Sequence, residues 1–256
     1  MIFRYNDKHI YYETAGQGPA LLLLHGFLEN ASMWDSLEKL VHDKFTVIRI
    51  DLPGHGRSDV YSEIHSMEFM ADVVRELLKS MGVNSISIIG HSMGGYVALA
   101  YLEKHPETVR QCILLNSTTY ADSADRKINR ERALKLIPDN KELFINVSIN
   151  NLFAEDTRED FSKDIQQLQM EANEIPTSGI LAAIRGMKDR KDRSDVLKEF
   201  QGSKILICGT KDTVVPFKDS KRAASFTKSK LISMASGHMT LIENSKELTE
   251  IVHFIE

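Results

Sequence analysis

The chain of 256 residues has two cysteines, one tryptophan and six prolines, and each shortage narrows what it can be. Cys112 and Cys208 sit inside the apolar runs Cys-Ile-Leu-Leu and Ile-Leu-Ile-Cys, where a free thiol behaves as a small buried hydrophobe, so no structural disulfide is expected. Six prolines and fourteen glycines are too few for a collagenous or low-complexity chain, and 42% hydrophobic with 27% charged residues is the balance of an ordinary globule. Apolar runs such as Ala20–Leu24 stop far short of the roughly 18 residues a membrane span needs. Met1–Lys8 shows no basic start followed by an apolar stretch, so the chain is expected in the cytoplasm with no membrane partner. There is no surplus of positive charge either: 32 Lys and Arg stand against 36 Asp and Glu, a net charge of −4 that argues against a general nucleic-acid binder. A chain of this length buries enough surface to fold as one large domain without a metal or disulfide.

What is present is an alternation of apolar bursts with amphipathic stretches. Ile2–Tyr5 and Ile10–Thr14 flank an Asn6-Asp7 turn and read as a hairpin. Bursts at Ala20–Leu24, Phe45–Asp51, Ile86–Gly90, Gln111–Asn116, Lys204–Cys208 and Lys230–Met234 have the length and branching of buried strands. Helical patterns lie between them at Ser32–Leu40, Ser66–Met81, Met93–His105, Phe217–Phe226 and Ser245–Ile255. Repeated β-α alternation with near-continuous apolar strands specifies an α/β fold, a mostly parallel sheet with helices on both faces. The rhythm breaks once, between residues 118 and 193, where four amphipathic segments stand at Ser123–Ile137, Asn140–Ala154, Thr157–Asn173 and Thr177–Lys188. The expected division is a core of residues 1–117 and 194–256 and a helical lid of residues 118–193 over the carboxyl edge of the strands, where open parallel sheets keep their sites.

After the burst ending at Ile89 comes Gly90-His91-Ser92-Met93-Gly94, followed at once by a helix rich in small residues. This G-x-S-x-G string stands in the strand-turn-helix context that presents a serine on a sharp turn. A serine hydroxyl needs an imidazole to take its proton, and that imidazole needs a carboxylate to fix its tautomer and stabilise its charged form. Asp212 follows the burst Lys204–Cys208, and His238 follows Lys230–Met234 and a flexible Ser236-Gly237 pair. The order Ser92, Asp212, His238 is the nucleophile-acid-base order expected after such a turn. Asp219 is set aside because it falls inside a helical segment, and after the sixth strand Asn116-Ser117 stands where a rival acid would be. An oxyanion needs two donors. One is the backbone N–H of Met93 at a helix start, and the other is that of Phe27, in the loop His25-Gly26-Phe27-Leu28-Glu29-Asn30. His25 reads as a structural residue bonding that loop.

Together with Asp51-Leu52-Pro53-Gly54-His55-Gly56-Arg57-Ser58, these motifs make the chain resemble the α/β-hydrolase fold superfamily over essentially its whole length. The resemblance implies an eight-stranded, mostly parallel sheet and a serine hydrolase with no cofactor and no metal. The Asp51–Ser58 loop reads as a structural turn. Ser92 sets the chain apart from members with an aspartate nucleophile. The His-Gly-Phe loop and lid are similar to esterases and enol-lactonases, to carbon-carbon bond hydrolases, and to the menaquinone-pathway lyase of this fold. The last two act on substrates with carboxylates and should show basic residues on the lid. Arg185, on Leu181–Met187, is the candidate, set against the more ordinary reading of a solvated helix arginine. Three functions therefore stay open: a hydrolase of small carboxylic esters or lactones, a carbon-carbon bond hydrolase or lyase, and a ligand receptor of the same fold without turnover.

Overall fold

Asn6 and Asp7 both take positive φ, 46° and 63°, the conformation a tight two-residue turn requires, and close a hairpin between β1 (Ile2–Tyr5) and β2 (Lys8–Ala15). The structure, a computed structural model, describes residues 1–253. After the hairpin come β3 (Ala20–Leu24), α1 (Asp35–Val41), β4 (Thr46–Ile50), α2 (Met67–Ser80), β5 (Ile86–His91), α3 (Met93–Lys104) and β6 (Val109–Leu115). Helices α4 (Ala124–Asn150), α5 (Ser162–Glu174), α6 (Thr177–Lys188) and α7 (Ser194–Glu199) then separate β6 from β7 (Ser203–Gly209). The chain continues through α8 (Phe217–Thr227), β8 (Lys230–Met234), α9 (Thr240–Glu243) and α10 (Ser245–His253). The helix expected over Ser245–Ile255 has its last two residues outside the described ones.

The eight strands form one sheet in the order β1-β2-β4-β3-β5-β6-β7-β8, antiparallel at β1, β2 and β4 and parallel from β4 to β8. Strand side chains alternate between two buried layers. Leu22 and Leu24 of β3 face a layer shared with α2 and α3, while Leu21 and Leu23 face Trp34, Leu37 and Val41. This double burial is why the strands read as unbroken apolar bursts. Helix α2 buries one stripe, including Met70, Val73, Val74 and Leu77, and Ser66 caps it by accepting from the Phe69 N–H at 3.1 Å. Helix α3 buries nearly every residue, which accounts for its glycines and alanines.

The parallel register aligns Leu24 with Gly90, Gly90 with Leu114, and Leu115 with Ile207. The loops after β3, β5, β6, β7 and β8 therefore leave from one edge of the sheet. Between β6 and β7, α4 packs on both α5 and α6. The two segments expected around Pro138 are the arms of α4, which kinks at Asn140 (φ −140°, ψ 39°). The segment expected to begin at Thr157 starts as a helix only at Ser162, after turns in which the Thr157 hydroxyl donates to Glu243 of α9 at 2.7 Å. Helices α7 and α9 are too short to show a period in the sequence. Among the described residues no helix is long and apolar enough to cross a membrane, and no group of three or more His, Cys, Asp or Glu side chains could hold a metal ion. Cys112 and Cys208 are buried free thiols.

Candidate active site

Ser92 occupies the junction of β5 and α3 with φ 48° and ψ −112°, a strained backbone for a residue bearing a Cβ. The turn is held from both sides, since the Ser92 N–H donates to Leu115 O at 3.0 Å and the Ser117 hydroxyl donates to Ser92 O at 2.7 Å. A Cβ on Gly90 would lie 2.5 Å from Gly94 O and 2.6 Å from the Gly95 Cα, so β5 and α3 meet this closely only with glycine there. The Ser92 hydroxyl lies 2.8 Å from His238 Nε2, and His238 Nδ1–H donates to Asp212 Oδ2 at 2.7 Å. The three residues are separated by up to 146 positions in sequence and come together because β5, β7 and β8 end at one sheet edge.

Asp212 is nearly completely buried. Burial alone would raise its pKa, but the His238 charge and hydrogen bond, the Val215 N–H and the Asn116 amide outweigh it and hold the carboxyl below the usual range. Its Oδ1 accepts from the N–H groups of Val214 and Val215, both at 2.8 Å, and its Oδ2 accepts from Asn116 Nδ2 at 3.1 Å. Asn116 also donates to Gly237 O at 3.2 Å, tying the loop after β6 to the loop that carries His238. The sequence shows Asn116 only as the absence of a rival acid. The structure makes it the clamp on Asp212.

Phe27 lines the Ser92 cavity and Met93 follows Ser92 directly at the start of α3, and among the described residues neither backbone N–H has a protein acceptor. Leu28 takes φ 66° just after Phe27, which turns the loop sharply. His25 lies beneath this loop as a structural residue, its Nδ1–H on Gly26 O at 2.7 Å and its Nε2 accepting from the Leu52 N–H at 2.8 Å. The Asp51–Ser58 loop is likewise structural: Asp51 accepts from the Ala31 and Arg57 N–H groups, and the His55 ring packs at a tilt of 56° against that of His25, 5.2 Å between centroids.

Sequence patterns miss the partner of His91. Its Nδ1 meets Glu29 Oε2 at 2.9 Å and its Nε2 meets His238 O at 3.1 Å, with both side chains buried. Glu29 Oε2 also accepts from the Gly26 N–H at 2.6 Å. One buried pair thus links the loop carrying Phe27, the residue beside Ser92 and the backbone of His238. Burial opposes charge on both groups, yet their mutual attraction prevails, raising the His91 pKa and lowering that of Glu29.

Arg185 needs a correction. Its guanidinium donates to Glu63 O at 2.9 Å, and it is not among the residues lining the Ser92 cavity, because that side of α6 faces the loop before α2. The arginines lining this cavity, of about 100 Å³, are Arg126 and Arg130 of α4. Their i, i+4 spacing puts both on one helix face.

The sequence profile of the alpha/beta hydrolase fold matches residues 19–245. The chain belongs to this family. Among solved alpha/beta hydrolases it is similar to a thermophilic esterase from Thermogutta terrifontis in a malate-bound form, with a TM-score of 0.91 and 29% identity over 96% of this chain and 92% of that one. The enol-lactonase from Burkholderia xenovorans LB400 also has a TM-score of 0.91, covering 98% of both chains at 18% identity, a likeness of fold alone. Some curated relatives match over shorter stretches. The chain is 35% identical over 109 residues to the pimeloyl-[acyl-carrier protein] methyl ester esterase of Nitrosomonas europaea, which is 43% of this chain and 41% of that protein. The match to an uncharacterized protein of Mycobacterium tuberculosis, 37% identical over 106 residues, spans only 31% of that protein's length.

Proposed function

We propose that the protein is a serine hydrolase that cleaves a small carboxylic ester or lactone through an acyl-enzyme on Ser92. The observation that carries this reading is the hydrogen-bonded chain from Ser92 through His238 to Asp212, with the unspent backbone N–H of Phe27 in the cavity wall and that of Met93 next to Ser92 in the chain. His238 Nε2 takes the hydroxyl proton as Ser92 Oγ attacks the carbonyl carbon. The oxyanion that forms is held by the N–H groups of Phe27 and Met93, the latter helped by the start of α3. The C–O bond to the alcohol then breaks, and His238 returns the proton to the departing oxygen. A water attacks the acyl-enzyme with His238 again as base, which releases the acid and restores Ser92. Asp212 keeps Nδ1 protonated and balances the imidazolium that forms twice per cycle. No step calls for a cofactor.

In this reading residues 118–193 are a cap that closes the cavity over the core of residues 1–117 and 194–256. Leu152 and Met187 of that segment line the cavity, and Leu152 O accepts the His238 N–H at 2.6 Å. The esterase from T. terrifontis and the methyl ester esterase from N. europaea support the choice of ester chemistry.

The test is a panel of aryl esters, lactones and diketo acids assayed with wild type and with Ser92→Ala. Repeated turnover of esters or lactones, lost in Ser92→Ala, is the expected result. Fast cleavage of diketo acids with sluggish ester turnover would replace the reading with carbon-carbon bond hydrolysis. A single turnover that then stalls would favour a receptor.

A further inference from the structure

The only carboxylate lining the Ser92 cavity, among the described residues, is Glu29, and its charge is taken by His91. The two guanidiniums there are less fully matched. Asp122, completely buried in its side chain, pairs with both Arg130 and Arg190, the latter at 2.5 Å, so one negative charge serves two positive ones. Arg190 lies 4.0 Å over the ring of Tyr96, itself a wall of the cavity. Arg126 has no ion pair among the described residues and spends a single donor, Nη2, on Val214 O. Arg130 spends Nε on Asp122, and its two terminal nitrogens have no acceptor among the described residues. Among these four lid side chains three positive charges therefore face one negative charge, in a molecule whose net charge is −4. Such a local reversal of sign draws an anion to one place on a surface that otherwise repels it.

We infer that Arg126, with Arg130 beside it, is a carboxylate-binding subsite, so that the substrate is an ester or lactone carrying a second, ionised carboxylate, such as a half-ester of a dicarboxylic acid. The inference rests on the ester-hydrolase reading of Ser92. A planar guanidinium with free donors matches a carboxylate in a bidentate pair, which fixes the far end of a substrate as well as attracting it. The cavity walls from Phe27, Ile149 and Leu152 suit a short methylene chain between the two ends.

The test compares monomethyl adipate with dimethyl adipate, which differ in one charge. Wild type should favour the half-ester at least tenfold in kcat/KM, and added salt should erode the preference. In Arg126→Gln, with folding verified by circular dichroism, the ratio should collapse toward one, chiefly through KM for the half-ester. Adipate binding by calorimetry reads the subsite without turnover, and its Kd should rise at least tenfold in the same variant. Equal turnover of both esters, with adipate binding unchanged by Arg126→Gln, overturns the subsite and leaves the ester reading standing. Failure to hydrolyse either ester, with adipate still bound through Arg126, would instead count against the ester reading alone. Failure of both turnover and binding overturns the subsite.

Discussion

His91, one residue upstream of Ser92, forms a buried ion pair with Glu29, 2.9 Å across. Both nitrogens of His91 face atoms that can only accept, a carboxylate oxygen and the His238 carbonyl, so the ring carries two protons. Glu29, whose pKa is lowered, contributes stability above its unfolded value of about 4.3, lost as pH falls through the folded value. His91, whose pKa is raised, contributes stability fully present below about 6.5, lost as pH rises through the folded value. The pair is therefore strongest between those two pH values. Removing one partner of a buried pair costs about 3–5 kcal/mol, so His91→Gln should be destabilised by that order near pH 6 and by less at alkaline pH. Urea unfolding of wild type and variant across pH 5–9.5 checks this, and a gap that does not change with pH would contradict it.

Gly26 touches the same pair. A Cβ there would lie 2.5 Å from Glu29 Oε2 and 2.7 Å from His91 Nδ1, and neither side chain has room to retreat in a buried site. Gly26→Ala should displace the loop that holds the Phe27 N–H and lower kcat by roughly 10²-fold or more, the scale of losing one oxyanion donor. Unchanged kcat would show that the Phe27 N–H does not serve the reaction.

Strain at Ser92 should be measurable. A non-glycine residue held at φ 48° and ψ −112° costs on the order of 1–3 kcal/mol, and glycine relieves it. Ser92→Gly and Ser92→Ala should both lose on the order of 10⁴–10⁶ in turnover. Ser92→Gly should melt at the higher temperature of the two by calorimetry, and the reverse order would argue that the turn is relaxed.

The clamp on Asp212 separates it from its neighbour in sequence. Asp212→Asn keeps the shape but lets the imidazole take the wrong tautomer, and should lose on the order of 10⁴ in kcat. Asp219, on the first turn of α8, is outside the hydrogen-bonded chain, and Asp219→Asn should stay within about threefold of wild type, under 0.7 kcal/mol. Steady-state kinetics on both variants decides between the two carboxylates.

The strands and the chain from Ser92 to His238 are legible in the sequence because each depends on local signals, an apolar burst followed by a turn residue. The eight strands fall where the bursts are, and β2 merely extends to Lys8–Ala15. Glu29, 62 positions from His91, belongs to no local pattern, and its importance appears only when β3 and β5 pair in register. Asn116 is hidden for the same reason, since its partner lies 96 positions away. Lid arginines are harder still. Composition says that the lid has basic residues, but which of them face the cavity depends on how α4 and α6 are rotated about their axes, and Arg185 turns outward while Arg126 and Arg130 turn in.

The central claim is covalent catalysis by Ser92, and mass spectrometry of the acid-quenched enzyme tests it most directly. Mixed with excess p-nitrophenyl acetate, the wild type should show a burst of nitrophenol near one equivalent and gain one acetyl group on the peptide containing Ser92. The adduct should be absent from Ser92→Ala. Rapid multiple turnover with no acetylated Ser92, or an acetyl group mapped to another residue that turns over at the catalytic rate, would contradict it.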